Sequence, residues 1–112
     1  MFKHKLIFSD ILDEMSSAAK KVLKDRWKKV KPLAELQLKS IIHNLEQIAE
    51  LKLQGKITED QARLHLMIQK ESIRTILLSF EGIGIVTAEE AINSALSSVR
   101  TIVNKAIGWK IL

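Results

Sequence analysis

The clearest hydrophobic pattern in the chain runs from Thr87 to Trp109. Apolar residues recur there at alternating steps of three and four, which places them along one side of a helix that packs against other helices. Thr87 and Glu90 are predicted to form a capping box, in which each side chain bonds the backbone N–H of the other residue. The apolar seam of this predicted last helix consists of Ile92, Ala95, Val99, Ile102, Ala106 and Trp109.

Two helices are predicted before it, on either side of Pro32. The first extends from about Ser9, a candidate N-cap, to about Val30, and the second covers residues 33–54. Proline fits the first turn of a new helix, but it can also kink one long helix. The sequence therefore leaves open whether these helices are separate or continuous through a kink at Pro32. Gly55 suits the left-handed position that ends the second helix.

A second capping box, formed by Thr58 and Gln61, predicts the start of the third helix over residues 59–81. Gly82 and Gly84 end this helix. Because the two later connections are short, helices two, three and four are expected to be antiparallel neighbours. The composition is also helical, with Leu, Ile, Ala, Lys and Glu dominant. The predicted fold is an all-α four-helix bundle in which all 112 residues form one domain.

The predicted third helix is apolar on two sides. One side carries a core stripe that includes Leu66, Ile73 and Leu77. A helix that is apolar on two faces is usually covered on both of them. We therefore predict a homo-oligomer that self-associates through the second face, unless the first helix folds back over it. That face consists of Leu64, Met67, Ile68 and Leu78.

The net charge of +5 arises in the first third of the chain. Residues 1–31 hold nine basic and four acidic side chains. A basic stripe on the predicted first helix projects away from its apolar side and can neutralise the phosphates of nucleic acid or the headgroups of anionic lipids. The same stripe is also typical of a solvated helix face. It consists of Lys20, Lys21, Lys24, Lys28 and Lys31.

Two further features bear on a nucleic-acid or membrane partner. Trp27 lies beside the basic stripe, where it could stack on a base or meet a membrane interface, although such a residue more often closes the edge of a core. The last helix has a broad apolar surface of the kind found on interfacial helices. Its polar face carries few basic residues, which favours burial inside the bundle.

Residues 78–92 resemble the hairpin of the helix-hairpin-helix DNA-binding motifs. The matching pieces are Gly82-Ile83-Gly84, Ala88 and Ile92. The resemblance implies that backbone N–H groups of the turn and of the next helix face a phosphate. The segment departs from the motif at Glu81, where proline is usual, and Glu89 and Glu90 would bring negative charge towards the phosphate. We interpret it as a helix–helix turn.

No pattern in the sequence indicates catalysis or cofactor binding. The absence of cysteine excludes disulfides, thiolate metal sites and cysteine nucleophiles. The Glu-x-x-His spacing of bundle metal sites is absent, and His43 and His65 are expected at the surface. The serines lie in predicted helices without a nucleophile elbow. We therefore predict a non-enzymatic protein with no catalytic residue, metal site, cofactor or small-molecule substrate.

Location and function are expected to follow from these features. The chain has no apolar run long enough for a membrane span, and Asp10 and Asp13 interrupt any signal-peptide core, so we expect a cytoplasmic protein. The leading hypothesis is a structural or scaffolding module that self-associates through apolar helix faces. The alternative is a nucleic-acid-binding protein that uses the basic face of the first helix, and the third is a peripheral membrane-binding protein.

Overall fold

The computed structural model describes residues 2–112, with side chains from residue 10 onward, and its regular structure there is entirely helical. The helices are α1 (Phe2–Leu23), α2 (Trp27–Leu53), α3 (Glu59–Leu78) and α4 (Ile85–Ile107), and a short 3₁₀ turn (Lys24–Arg26) joins the first two. The prediction of an all-α four-helix bundle is confirmed.

The helices run up and down in chain order. Polar contacts across each successive pair join residues that are about equally far from the intervening turn, which requires antiparallel neighbours. These contacts are Ser16 Oγ to Glu35 Oε2 (3.3 Å), Ser40 Oγ to Gln69 Oε1 (3.4 Å) and Arg74 Nε to Glu89 Oε1 (2.8 Å). The bundle closes where α1 packs along α4, its most extensive helix partner, so α1 lies diagonally opposite α3. Over the described residues, α1 and α3 make no contact.

Small side chains hold α1 and α4 together. Ala88, Ala91 and Ala95 of α4 are buried, as are Met15 and Ala19 of α1. Side chains of one carbon let two helix backbones approach closely, in keeping with the extensive packing of α1 along α4. This pair accounts for the closure of the bundle, because no loop connects α1 to α4.

The chain turns between α1 and α2 at a different place from the one predicted, which was either a break or a kink at Pro32. The helices are separate, but the break lies at Lys24–Arg26, about two helical turns before Pro32. Lys24 has a φ of +53°, in the left-handed region that turns the chain out of α1. Leu23 and Trp27 are buried on either side and anchor the corner to the core. Pro32 lies inside α2 and neither ends nor starts a helix.

Of the four predicted helix starts, only that of α3 is confirmed, and α2 begins at Trp27 instead of residue 33. At α3, Gln61 N–H donates to Thr58 Oγ1 (3.1 Å) and Thr58 N–H donates to Gln61 Oε1 (2.9 Å), which completes the predicted capping box. At α4 the N-cap is Gly84, so Thr87 lies within the first turn and the second box does not form. The first helix begins at Phe2, and Ser9 therefore lies inside it.

The predicted ends of the second and third helices are close to those observed, whereas the first helix ends at Leu23, well before the predicted Val30. Gly55 adopts a φ of +67° after α2, as expected. Its N–H bonds Lys52 O (3.0 Å) and the next N–H, of Lys56, bonds Leu51 O (2.8 Å), which together form a Schellman motif. The third helix ends at Leu78, three residues earlier than predicted, before the turn that contains Gly82.

The seam of α4 follows the prediction only in its first half. Ile92, Ala95 and Val99 are buried, but Ile102 is half exposed and Val103 takes the core position instead. An alternation of three and four averages 3.5 residues per turn, whereas a straight helix has 3.6. The buried positions therefore drift around the helix, and Ile107 follows Val103 in the core.

Candidate functional site

Three large apolar side chains lie exposed together on the outer face of α3. Leu64, Met67 and Ile68 are 59%, 61% and 62% exposed, and their spacing of three and four places them on neighbouring turns of one face. We call these three residues the α3 patch. Because α1 lies diagonally opposite α3, the first helix does not cover the patch, contrary to the intramolecular alternative.

Leu78, the fourth residue predicted for this face, lies elsewhere. It is partly buried and packs against the core at the far end of α3. The wheel places Leu78 near the patch in projection, but it lies nearly three turns beyond Ile68 along the helix. The apolar part of the predicted self-association face therefore reduces to the α3 patch.

Charged side chains border the α3 patch at both ends. Arg63 pairs with Glu59 and lies 3.7 Å from Asp60. At the other end Arg74 lies 3.4 Å from Glu71. The Asp60 and Glu71 side chains are 93% and 67% exposed, so each carboxylate has room for a second cationic partner.

The structure brings the five predicted lysines together at the α1–α2 corner, although not on one helix. They lie on α1, on the 3₁₀ turn and on α2, and all are exposed. An open groove of about 680 Å³ at the corner is lined by Lys20, Lys24, Lys28, Lys31, Asp25 and Trp27. An adjoining depression shares Lys20 and Lys24 and adds Lys21. We call these five lysines the basic corner.

Apolar residues that were considered for base stacking or membrane contact lie in the core. Trp27 is 6% exposed at the base of the groove, which leaves no face for a base or a lipid. On α4, Leu96, Val99, Val103 and Ile107 are buried. Most of the broad apolar surface of the last helix is therefore part of the bundle interior, while Ile102 stays half exposed.

Residues 79–84 form a helix–helix turn. Gly82 adopts a φ of +86° and Ile83 is buried beneath it. Glu89, which the DNA-binding hairpin would bring near a phosphate, instead lies 2.8 Å from Arg74 of α3. The contacts of this segment are those of a connection between two packed helices.

The described part of the molecule shows no metal centre and little enclosed space. The described His, Asp and Glu side chains form no group of three or more that could hold a metal ion. His43 and His65 are both exposed, as expected. A cavity of about 60 Å³ lies between α3, α4 and the C-terminal residues Ile111 and Leu112. Ligand pockets are typically about 300 Å³ or more, so this cavity does not accommodate a metabolite.

Comparison with known proteins gave no relative. No protein-family model, curated protein or solved structure matches the chain. Among the described helices, none is both long and apolar enough to cross a bilayer. The α3 patch is an exposed apolar surface and the basic corner is an exposed cationic one, and both have side chains suited to binding a partner.

Proposed function

We propose that this protein is a non-enzymatic structural module that forms a homodimer through the α3 patch. The observation that carries the proposal is the uncovered group of Leu64, Met67 and Ile68 on one helix face. Contiguous exposed apolar side chains with a polar rim are typical of protein interfaces. A second copy of the chain is the proposed occupant.

In one arrangement of two copies, the acidic side chains around the α3 patch of each copy face the basic side chains of the other. If two α3 helices pack antiparallel about a two-fold axis at Met67, residues equally far before and after Met67 face each other. Asp60 then faces Arg74 of the other copy, and Arg63 faces Glu71 of the other copy. The high exposure of Asp60 and Glu71 leaves their carboxylates able to make these additional pairs.

In this arrangement Met67 contacts Met67 of the other copy, so the arrangement can be tested by placing charges at this position. We expect the unmodified protein to be a dimer by light scattering after chromatography. Met67→Glu and Met67→Lys should each be folded monomers, since each places two like charges across the axis. An equal mixture of the two variants should restore a dimer, because opposite charges then meet.

Val86→Glu is the matched control. Val86 is a strongly exposed apolar residue in the first turn of α4, away from the α3 patch, so the same charge there should leave the dimer intact. A parent protein that is monomeric at high micromolar concentration would contradict the proposal. A mixture of the Met67 variants that stays monomeric would contradict the two-fold register.

A further inference from the structure

We propose that the basic corner is a sequence-independent binding site for duplex nucleic acid, which contacts the backbone phosphates. The site is the groove where α1 meets α2, and its cationic groups are Lys20, Lys21, Lys24, Lys28 and Lys31. Lysine ammonium groups neutralise phosphates and release condensed counterions, which is the main source of sequence-independent affinity.

The fold does not use these lysines to pair its own carboxylates. The four ion pairs found over the described residues all involve Arg63 or Arg74 of α3 and none of these lysines. Asp25 is the sole carboxylate among the side chains that line the groove of the basic corner. The groove is therefore a concentrated positive surface that an anionic partner can neutralise.

Lys24 occupies a position where stability alone would favour glycine. Its φ of +53° lies in the left-handed region, which glycine adopts freely and a lysine does not. Among the residues whose side chains the structure describes, none forms a hydrogen bond or an ion pair with the Lys24 side chain that would account for the choice. Since strained non-glycine residues cluster at functional sites, Lys24 is a candidate phosphate contact.

Lys28 is also placed against the stability of its helix. It lies in the first turn of α2, which contains no acidic residue. Cations near a helix N-terminus are disfavoured by the helix dipole. In the same molecule α3 begins with Glu59 and Asp60, which is the stabilising arrangement. A bound phosphate at the corner would offset this repulsion.

The form of the corner favours nucleic acid over a membrane surface. Interfacial helices bind bilayers by inserting exposed apolar or aromatic side chains beside the basic ones. The one aromatic residue lining the groove, Trp27, is buried, and the other lining residues are polar. A concave groove also fits a phosphate backbone better than a flat bilayer. Because Trp27 cannot stack on bases and lysine is a point charge, binding is independent of sequence.

The test is fluorescence anisotropy with two short DNA duplexes of unrelated sequence. Both should bind equally. The logarithm of affinity should fall against the logarithm of salt with a slope of about −4, so that affinity drops a few hundredfold between about 50 mM and 200 mM salt. Binding that is absent at low salt, or that differs strongly between the duplexes, overturns the proposal.

Two matched quadruple variants locate the site, and both lower the net charge equally. The first replaces Lys20, Lys24, Lys28 and Lys31 with Gln and should abolish binding. The second replaces Lys39, Lys56, Lys105 and Lys110 with Gln and should largely retain it. Both should keep the parent's melting temperature, since exposed charges contribute little to stability. Equal losses in the two variants would overturn the assignment to the corner.

Lys24→Gly separates a binding role from a structural one. It should weaken DNA binding severalfold while raising the melting temperature, because glycine relieves the left-handed strain. A lower melting temperature together with unchanged binding would contradict the proposal. Vesicles rich in phosphatidylserine provide the remaining arm, and binding to them without binding to DNA would also overturn it.

Discussion

Single polar side chains hold the C-terminal end of the chain onto the bundle. Lys52 Nζ donates to Ile107 O at the end of α4 (2.6 Å) and lies 4.8 Å from the centre of the Trp109 ring. Asn104 Oδ1 accepts from the N–H groups of Ile111 and Leu112, at 3.1 and 3.0 Å. These bonds satisfy backbone groups that the helix end leaves unpaired and allow Ile111 to be buried.

The two sequence-predicted capping boxes allow a direct comparison at the residue scale. Thr58→Ala should lower the free energy of unfolding by about 1 kcal/mol, because it removes the side chain that accepts from Gln61 N–H. Thr87→Ala should change it by less than about 0.5 kcal/mol, since Thr87 caps no helix. Urea denaturation measures both, and equal losses would contradict the observed start of α4.

The sequence signal at Thr87 was misleading for a local reason. Thr87 and Glu90 have the spacing of a capping box, but Gly84 takes the N-cap position one turn earlier. Glycine at an N-cap leaves no side-chain pattern to recognise, and the extended backbone at Gly84 lets Ile85 start the helix. Gly55 precedes Thr58 by the same three residues, but it has a left-handed backbone that ends α2, so Thr58 itself is the N-cap and prediction and structure agree.

At the scale of helices, periodicity predicted their number, order and most core positions, but not the corner between α1 and α2. The usual signs of a chain reversal are glycine, proline, asparagine, aspartate and serine. The corner at Lys24–Arg26 contains only Asp25 of these, and its left-handed residue is Lys24, which carries no such signal. Pro32 was the residue at which a break or kink was predicted, but it lies within α2. The cluster of lysines was predicted from the sequence. That these lysines lie on two helices and the turn between them was seen only in the structure.

Pro32→Ala tests which residue defines the corner. Inside α2 the proline ring removes the N–H that would bond to Lys28 O, so alanine should restore that bond and raise the free energy of unfolding by about 1 to 2 kcal/mol. Circular dichroism should show unchanged or slightly greater helix content. If Pro32 instead defined the bend, the same substitution would lower stability.

At the scale of the whole molecule, the two candidate surfaces are separated by the bundle topology. The α3 patch lies diagonally opposite α1, whereas the basic corner lies where α1 joins α2. Pairing of two copies through α3 would leave both basic corners free. The composition of each surface was visible in the sequence, but the exposure of the α3 patch depends on α1 packing against α4 instead of α3.

The closure of the bundle by α1 and α4 can therefore be tested apart from the α3 patch. Ala95→Leu adds three carbons at a buried position of α4, and it should cost about 1 to 3 kcal/mol by forcing the helices apart. Ser97→Leu adds similar bulk on the exposed side of the same helix and should change stability by less than about 0.5 kcal/mol. Thermal unfolding measures both variants.

Since α1 and α3 do not touch over the described residues, folded Ala95→Leu protein should keep the oligomeric state of the parent. A variant that unfolds no more easily than Ser97→Leu would show that Ala95 does not lie in a closely packed contact.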